Sequence, residues 1–228
     1  MGTLASNRKG YIVGASGSSY EEALTATTGT AADSQTGSVG TAIQYFFSTG
    51  RGGGTFRFTR TFLHFDTSGV SGGSSFQLQL TSTAGGSSDS NHNVVAVRHT
   101  AGEGTGGELA NADFDNIDRN TAYSSATAYG SSGTQTISLN AAAATAITGT
   151  SHFNVALILE HDLNQEEESP LEESGNISNG IAFGSAINLT YTDPASGYTH
   201  KVNAVAAASI GKVNTVATAN IGKINTVD

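Results

Sequence analysis

The sequence predicts an all-β chain: a single-domain β-sandwich of the jelly-roll kind, followed by a short C-terminal repeat segment. Three observations carry that expectation. The composition holds 29 glycines, 2 prolines and no tryptophan, with abundant Ser, Thr, Ala and Asn, which suits many short strands joined by loose turns. Apolar residues recur with the period of two that a half-buried strand requires, most cleanly in "FQLQL". A length of 228 residues fits one generous core, and sandwiches of this size often form single units.

The elements follow in order. Residues 1–9 are an N-terminal arm, and "GYIV" (Gly10 to Val13) is the first strand of a sandwich spanning 10–192. Ala15 to Thr41 is mostly loop, with a short helical turn at "SYEEAL". "AIQYFF" gives the next strand, and "TFRFTRTFLHFD" the one after it. The phase of this last strand changes midway: Phe56 and Phe58 share one face, Leu63 and Phe65 the other, so a bulge, a bend or burial on both sides is expected. "FQLQL" points Phe76, Leu78 and Leu80 inward and Gln77 and Gln79 outward. "NVVAV", "TISL" and "FNVALILE" continue the series, and "INLTY" closes it at Tyr191. Asn140 caps "AAAATAI", so a short helix links two strands there.

Charge and composition exclude several classes. Ten Lys and Arg against 19 Asp and Glu leave a net charge of -9, which argues against a nucleic-acid partner, because phosphate binding needs clustered basic side chains. Arg51, Arg57 and Arg60 come nearest to a cluster, and set among Phe56, Phe58 and Phe62 they are expected on a solvated strand face. The chain has no cysteine, hence no disulfide framework and no thiolate chemistry. No apolar stretch reaches membrane-spanning length and the N-terminus lacks a secretory layout, so a soluble protein with no membrane partner is expected.

The run "RTFLHFDTSGV", then "FQLQL", "LANADF", "TISLNAAAATAI", "FNVALILEHD" and "AINLTY", resembles the jelly-roll sandwich domains of bacteriophage virion proteins and bacterial surface proteins, across about residues 10–192. Where those domains carry a proline after "FDTS", this chain has the glycine-rich stretch Gly69 to Ser74. The tail phrase "SIGKVNTV" separately resembles repeats that end phage structural proteins. Together these resemblances imply a non-enzymatic structural protein of a virion, an extracellular particle, as a capsid decoration, fibre or tail-type component. Its partners would be other virion proteins and copies of itself. Because related sandwiches also bind glycans, the alternative is a carbohydrate-binding module for host-surface polysaccharide.

The tail itself supports assembly over catalysis. Residues 193–200 form a linker and 201–228 repeat with a period of eleven, setting Lys201, Lys212 and Lys223 in register. Repetition supplies like groups along a line, whereas catalysis converges unlike groups on one point. As a helix the period would give a right-handed supercoil; the rival is a set of short strands, favoured by the glycines and β-branched residues. Either way Val202, Val205, Ile210, Val213, Val216, Ile221, Ile224 and Val227 are the candidate anchoring residues, buried in a homo-oligomer such as a trimer or against another protein.

Five stretches hold residue types that can carry chemistry or binding. Asp113, Asp115 and Asp118 in "ADFDNID" are candidate calcium ligands, set against ordinary turn and cap bonds; no other cofactor is expected. Glu160 and Asp162, alternating on a strand, would share a side as a hydrolase pair requires, in a third reading as a depolymerase. His92 and His99 flank "NVVAV" without further metal ligands nearby. "GEGTGG" lacks the GK[ST] ending of a phosphate loop, and no nucleophile, base and oxyanion set assembles. Tyr123, Tyr129 and Tyr198 are the candidate glycan contacts, since exposed aromatic platforms serve that role.

Overall fold

The computed structural model describes residues 1–34, 41–50, 53–86, 93–100, 109–129, 132–165, 177–193, 212–213 and 216–217. The fold is an all-β sandwich in which every strand pairing is antiparallel. Its strands are β1 (Gly2–Ala5), β2 (Arg8–Gly14), β3 (Gly29–Ser34), β4 (Thr41–Gly50), β5 (Gly53–Asp66), β6 (Ser74–Gly86), β7 (Asn93–His99), β8 (Ile117–Ala122), β9 (Thr127–Ala128), β10 (Gly133–Ser138), β11 (His152–Leu159) and β12 (Ile177–Thr192). Among the described residues three short helices, α1 (Tyr20–Leu24), α2 (Ala141–Gly149) and α3 (Glu160–Asn164), and a 3-10 turn at Asn111–Asp115 cover its faces and ends.

Strand β5 organises the molecule. Thr61 pairs with Tyr11 on β2 and Leu157 on β11, while Thr59 pairs with Val13 on β2 and Gln44 on β4. A residue can pair twice only across opposite edges, so β4 and β11 follow one another along the edge away from β2. The sheet forks between them. One branch runs β4, β12, β6, β10; the other runs β11, β7, β8. At the fork the Thr61 hydroxyl donates to the carbonyl of Ala42, 2.8 Å away, and ties the departing strand.

This explains the change of phase in "TFRFTRTFLHFD". Every residue from Phe58 to Phe65 is buried, because one face of β5 meets the sandwich interior and the other is roofed by α1 and the segments near it. Phe56 and Phe58 pack edge-on against Tyr20 of α1, at 6.4 and 5.3 Å between ring centroids. Phe65 lies on the opposite face beside Phe153, at 6.3 Å. Of the three expectations, burial on both sides is the one the structure fulfils. A single buried cluster runs from Ile12 and Leu24 through Phe76, Leu78 and Leu80 to Ile187 and Leu189. Each such side chain contributes about 1.5–3 kcal/mol on burial.

Four local expectations change. Residues 1–9 are not a separate arm: β1 extends the edge of β12, with Gly2 opposite Tyr191 and Leu4 opposite Leu189. The stretch expected as loop before Thr41 contains β3, which lacks bulky residues yet gains a full ladder on β2. "IDRNTA" forms β8 on β7, again without a strong apolar alternation. After Leu159 the chain does not continue as a strand but turns into α3, closed by Gln165 in the left-handed region at φ 56. The proline-less turn after "FDTS" is held instead by Asp66, whose Oδ1 accepts from the Ser68 amide and hydroxyl at 3.0 and 2.6 Å.

In the repeat, Lys212–Val213 (β13) and Val216–Ala217 (β14) pair antiparallel, Val213 opposite Val216. These four residues take the strand form rather than the helical one. The anchoring candidates Val202, Val205, Ile210, Ile221, Ile224 and Val227 lie outside the described residues, as does all of the linker except Asp193.

Candidate functional site

The arginine expected on a solvated face is the most deeply buried charge in the sandwich. Arg60, at the fork of β5, is 0% exposed. Its Nε and Nη2 donate to the two carboxylate oxygens of Asp162 at 2.7 and 2.9 Å, and its remaining N–H groups reach the carbonyls of Phe114 and Leu24 at 2.7 and 3.1 Å. The guanidinium also lies 3.9 Å from the centre of the Phe114 ring. Gly14 makes room for this arrangement, since a Cβ there would overlap that ring. Arg119 donates to Asp162 Oδ1 at 3.0 Å, and Asp115 stands 3.6 Å from Arg119 and 3.9 Å from Arg60. Two cations and two anions close a neutral network. Bidentate pairing with extra carbonyl bonds is what makes burial of such charges tolerable.

That network accounts for several candidate residues. Asp162 is drawn by α3 into the interior, at 1% exposure, while Glu160 turns away and accepts from Asn93 Nδ2 at 2.6 Å. The side-by-side geometry expected of a carboxylate pair on a strand is therefore replaced by two separate structural bonds. Asp113, Asp115 and Asp118 likewise diverge. Asp113 accepts from the Ala110 amide and Asn116 Nδ2, Asp115 serves the arginines, and Asp118 accepts from the Asn120 amide and the Thr121 hydroxyl. The Thr121 hydroxyl, then the Asn120 amide and the nearby Arg98 charge, hold the Asp118 carboxyl below the ordinary range. Among the described residues no three His, Asp or Glu side chains are grouped to hold a metal ion.

The tyrosines are placed differently from an exposed platform. Tyr123 is 5% exposed, its ring 5.1 Å from that of Phe153, so it is part of the core rather than a free surface ring. Tyr129 is half-buried against the edge of Phe183, and burial pushes its phenol well above the ordinary value. Tyr198, Arg51 and His92 lie outside the described residues. Arg57 lies over the Phe46 ring at 5.0 Å, and His99 Nε2 is 3.0 Å from the Leu63 carbonyl oxygen.

A more open feature is formed, Tyr123 apart, by residues with no motif of their own in the sequence. A groove of about 340 Å³ runs between α2 and the β7–β8–β11 face, lined by Arg98, Thr121, Tyr123, the α2 residues Ala142, Thr145 and Ala146, and Thr150, His152, Phe153 and Asn154. Asn140 fixes the start of α2 by accepting from the amides of Ala142 and Ala143 at 3.0 and 3.1 Å. Asn154 is 9% exposed and its Oδ1 has no donor; His152 Nδ1 is buried without a partner as well. Opposite Asn154 on β5 stands His64, whose Nδ1 meets Asn7 Oδ1 at 2.7 Å and whose Nε2 is also unpartnered. Burial, reinforced by His152 and Arg8, lowers the pKa of that imidazole. The one sequence signal was polar His152 and Asn154 interrupting an otherwise apolar strand.

No protein-family model matches the chain, and no curated protein matches it.

Proposed function

We propose that the chain is a non-enzymatic structural protein of a bacteriophage virion, a decoration, fibre or tail-type component whose sandwich is displayed and whose C-terminal repeat anchors it. The observation that carries this reading is a division of apolar surface. Among the described residues the only large hydrophobic side chain exposed is Met1, so the sandwich satisfies its own apolar residues. The tail, by contrast, repeats Val and Ile at an eleven-residue period, and Lys212–Val213 and Val216–Ala217 within it pair as antiparallel strands. So short a repeat stabilises only by stacking on neighbours, which identical tails or a shell protein supply. The sandwich would then act by geometry, presenting loops and an acidic surface at a fixed point on the particle.

Replacing both Ile210 and Ile221 with Asp tests the reading. Light scattering of the full chain, alone and mixed with particles that lack it, should show assembly abolished while the thermal midpoint of the sandwich stays in place. Assembly that survives the double substitution would overturn the anchoring role.

A further inference from the structure

We infer that His64 and His152 form an acid-sensitive latch on the crossover at Ser6 and Asn7, one that releases β1 from β12 while the rest of the sandwich stays folded. The inference is independent of the tail and of any particle. His64 lies near the end of β5, opposite Arg8 of β2 on one edge and Asn154 of β11 on the other. It holds Asn7 twice: its carbonyl accepts from the Asn7 amide at 3.1 Å, and its ring Nδ1 meets Asn7 Oδ1 at 2.7 Å. An amide oxygen only accepts, so Nδ1 carries the ring proton. Nε2 is then a bare acceptor, buried and without a partner. The fold thus selects a neutral imidazole.

The surroundings oppose a second ring proton. The His152 ring lies 5.0 Å away, centre to centre, and its Nδ1 is likewise buried without a partner. Arg8 adds a positive charge from β2, and His99 a further imidazole from β7, its Nε2 on the carbonyl of the neighbouring Leu63. Among the described residues the anion facing the pair is Asp66, opposite His152; it is exposed and already accepts from the Ser68 amide and hydroxyl. Burial first, then His152 and Arg8, hold the His64 imidazole below its ordinary pKa of 6.5 against the pull of Asp66. The closed form therefore loses ground as pH falls below 6.5. Opening follows the least protected path. Residues Phe62 to Phe65 and Phe153 to Ala156 are buried, whereas β1 is a four-residue strand whose one large apolar side chain, Leu4, is only half-buried. The crossover beside it is tied to β12 through the Ser6 amide and the Ile187 carbonyl at 2.9 Å. Segments with so few buried contacts open at the lowest cost. Lifting Asn7 admits water to the His64 ring and draws β1 away, which bares the β12 edge from Asn188 to Tyr191.

The test is amide hydrogen exchange on the full chain at about pH 7.5 and 5.5, corrected for the intrinsic effect of pH on exchange; ordinary carboxylates stay charged at both values. Protection of the β1, Ser6 and Asn7 amides should fall by about tenfold at the lower pH, while β5 and β11 keep theirs. That size lies between the effects of two like charges about 5 Å apart in water and near a protein surface. His64→Asn, whose Nδ2 can replace Nδ1 toward Asn7 without titrating, should abolish the fall. If this variant fails to fold, His152→Gln decides, since it removes the second cation and should leave a fall below about threefold. Protection of β1 that ignores pH, a loss shared equally by β5 and β11, or a full fall that persists in the variant would each overturn the latch.

Discussion

Replacing Asp162 with Ala removes the carboxylate that faces two guanidinium groups. Arg60 would lose its bonds at 2.7 and 2.9 Å while remaining fully enclosed, and Arg119 its bond at 3.0 Å. Removing one partner of a buried pair costs about 3–5 kcal/mol, because the other charge is left in a poorly polarisable surround. Two features reduce the loss. Arg60 keeps the carbonyls of Phe114 and Leu24, and Asp115 is within 3.9 Å with 44% of its side chain exposed and free to adjust. Arg119, at 17% exposure, can turn toward water. The lower end, about 3 kcal/mol, is therefore expected. With a urea slope of about 2–3 kcal/mol per molar, the unfolding midpoint should fall by about 1–1.5 M. Pairing Asp162→Leu with Arg60→Met should cost less than Asp162→Ala alone, since no isolated charge remains. A midpoint change below about 0.3 M in Asp162→Ala would refute the claim that Arg60 depends on this carboxylate.

Two further outcomes are expected. Because the folded protein holds His64 below its ordinary pKa of 6.5, the unfolded chain binds the proton more readily; the full contribution to stability is present above pH 6.5 and is lost as pH falls through the lowered value. Urea midpoints measured at about pH 7.5 and 5.5 should therefore differ less in His64→Gln than in the parent chain, and an unchanged difference would exclude His64 as a source. Asn140→Ala removes the acceptor for two amides at the start of α2 and should cost about 1 kcal/mol by thermal unfolding, which Asn140→Ser should largely restore.

Much of the architecture is legible because strand periodicity is local. "FQLQL" announces its buried face outright, and Asn140 before four alanines announces α2. Strands β3 and β8 escape notice because "GTAADS" and "IDRNTA" carry little apolar alternation; their partners, not their own side chains, make them strands. Arg60 is misjudged for a related reason. An arginine is ordinarily exposed, and the partner that reverses the rule lies 102 residues away, on a helix that the apolar run before it disguises as more strand. The pairing of His64 with His152 is hidden in the same manner, since the two come from β5 and β11. Only the polar interruptions at His152 and Asn154 hint at it.

The junction of β1 with β12 has a mechanical consequence. The terminal amine of Met1 lies 3.2 Å from Asp193, where the chain leaves β12 toward the tail. Beneath that exit β12 is laddered on both edges, by β6 on one side and by β4 and then β1 on the other. A pull delivered through the tail along the strand axis would have to slide two rows of hydrogen bonds at once instead of peeling them open singly. Resistance to such shear is a matter of unfolding rate rather than equilibrium stability. Removing residues 1–5 would leave the ladder at that exit one-sided, and a body tethered by its C-terminal end would let go at lower force.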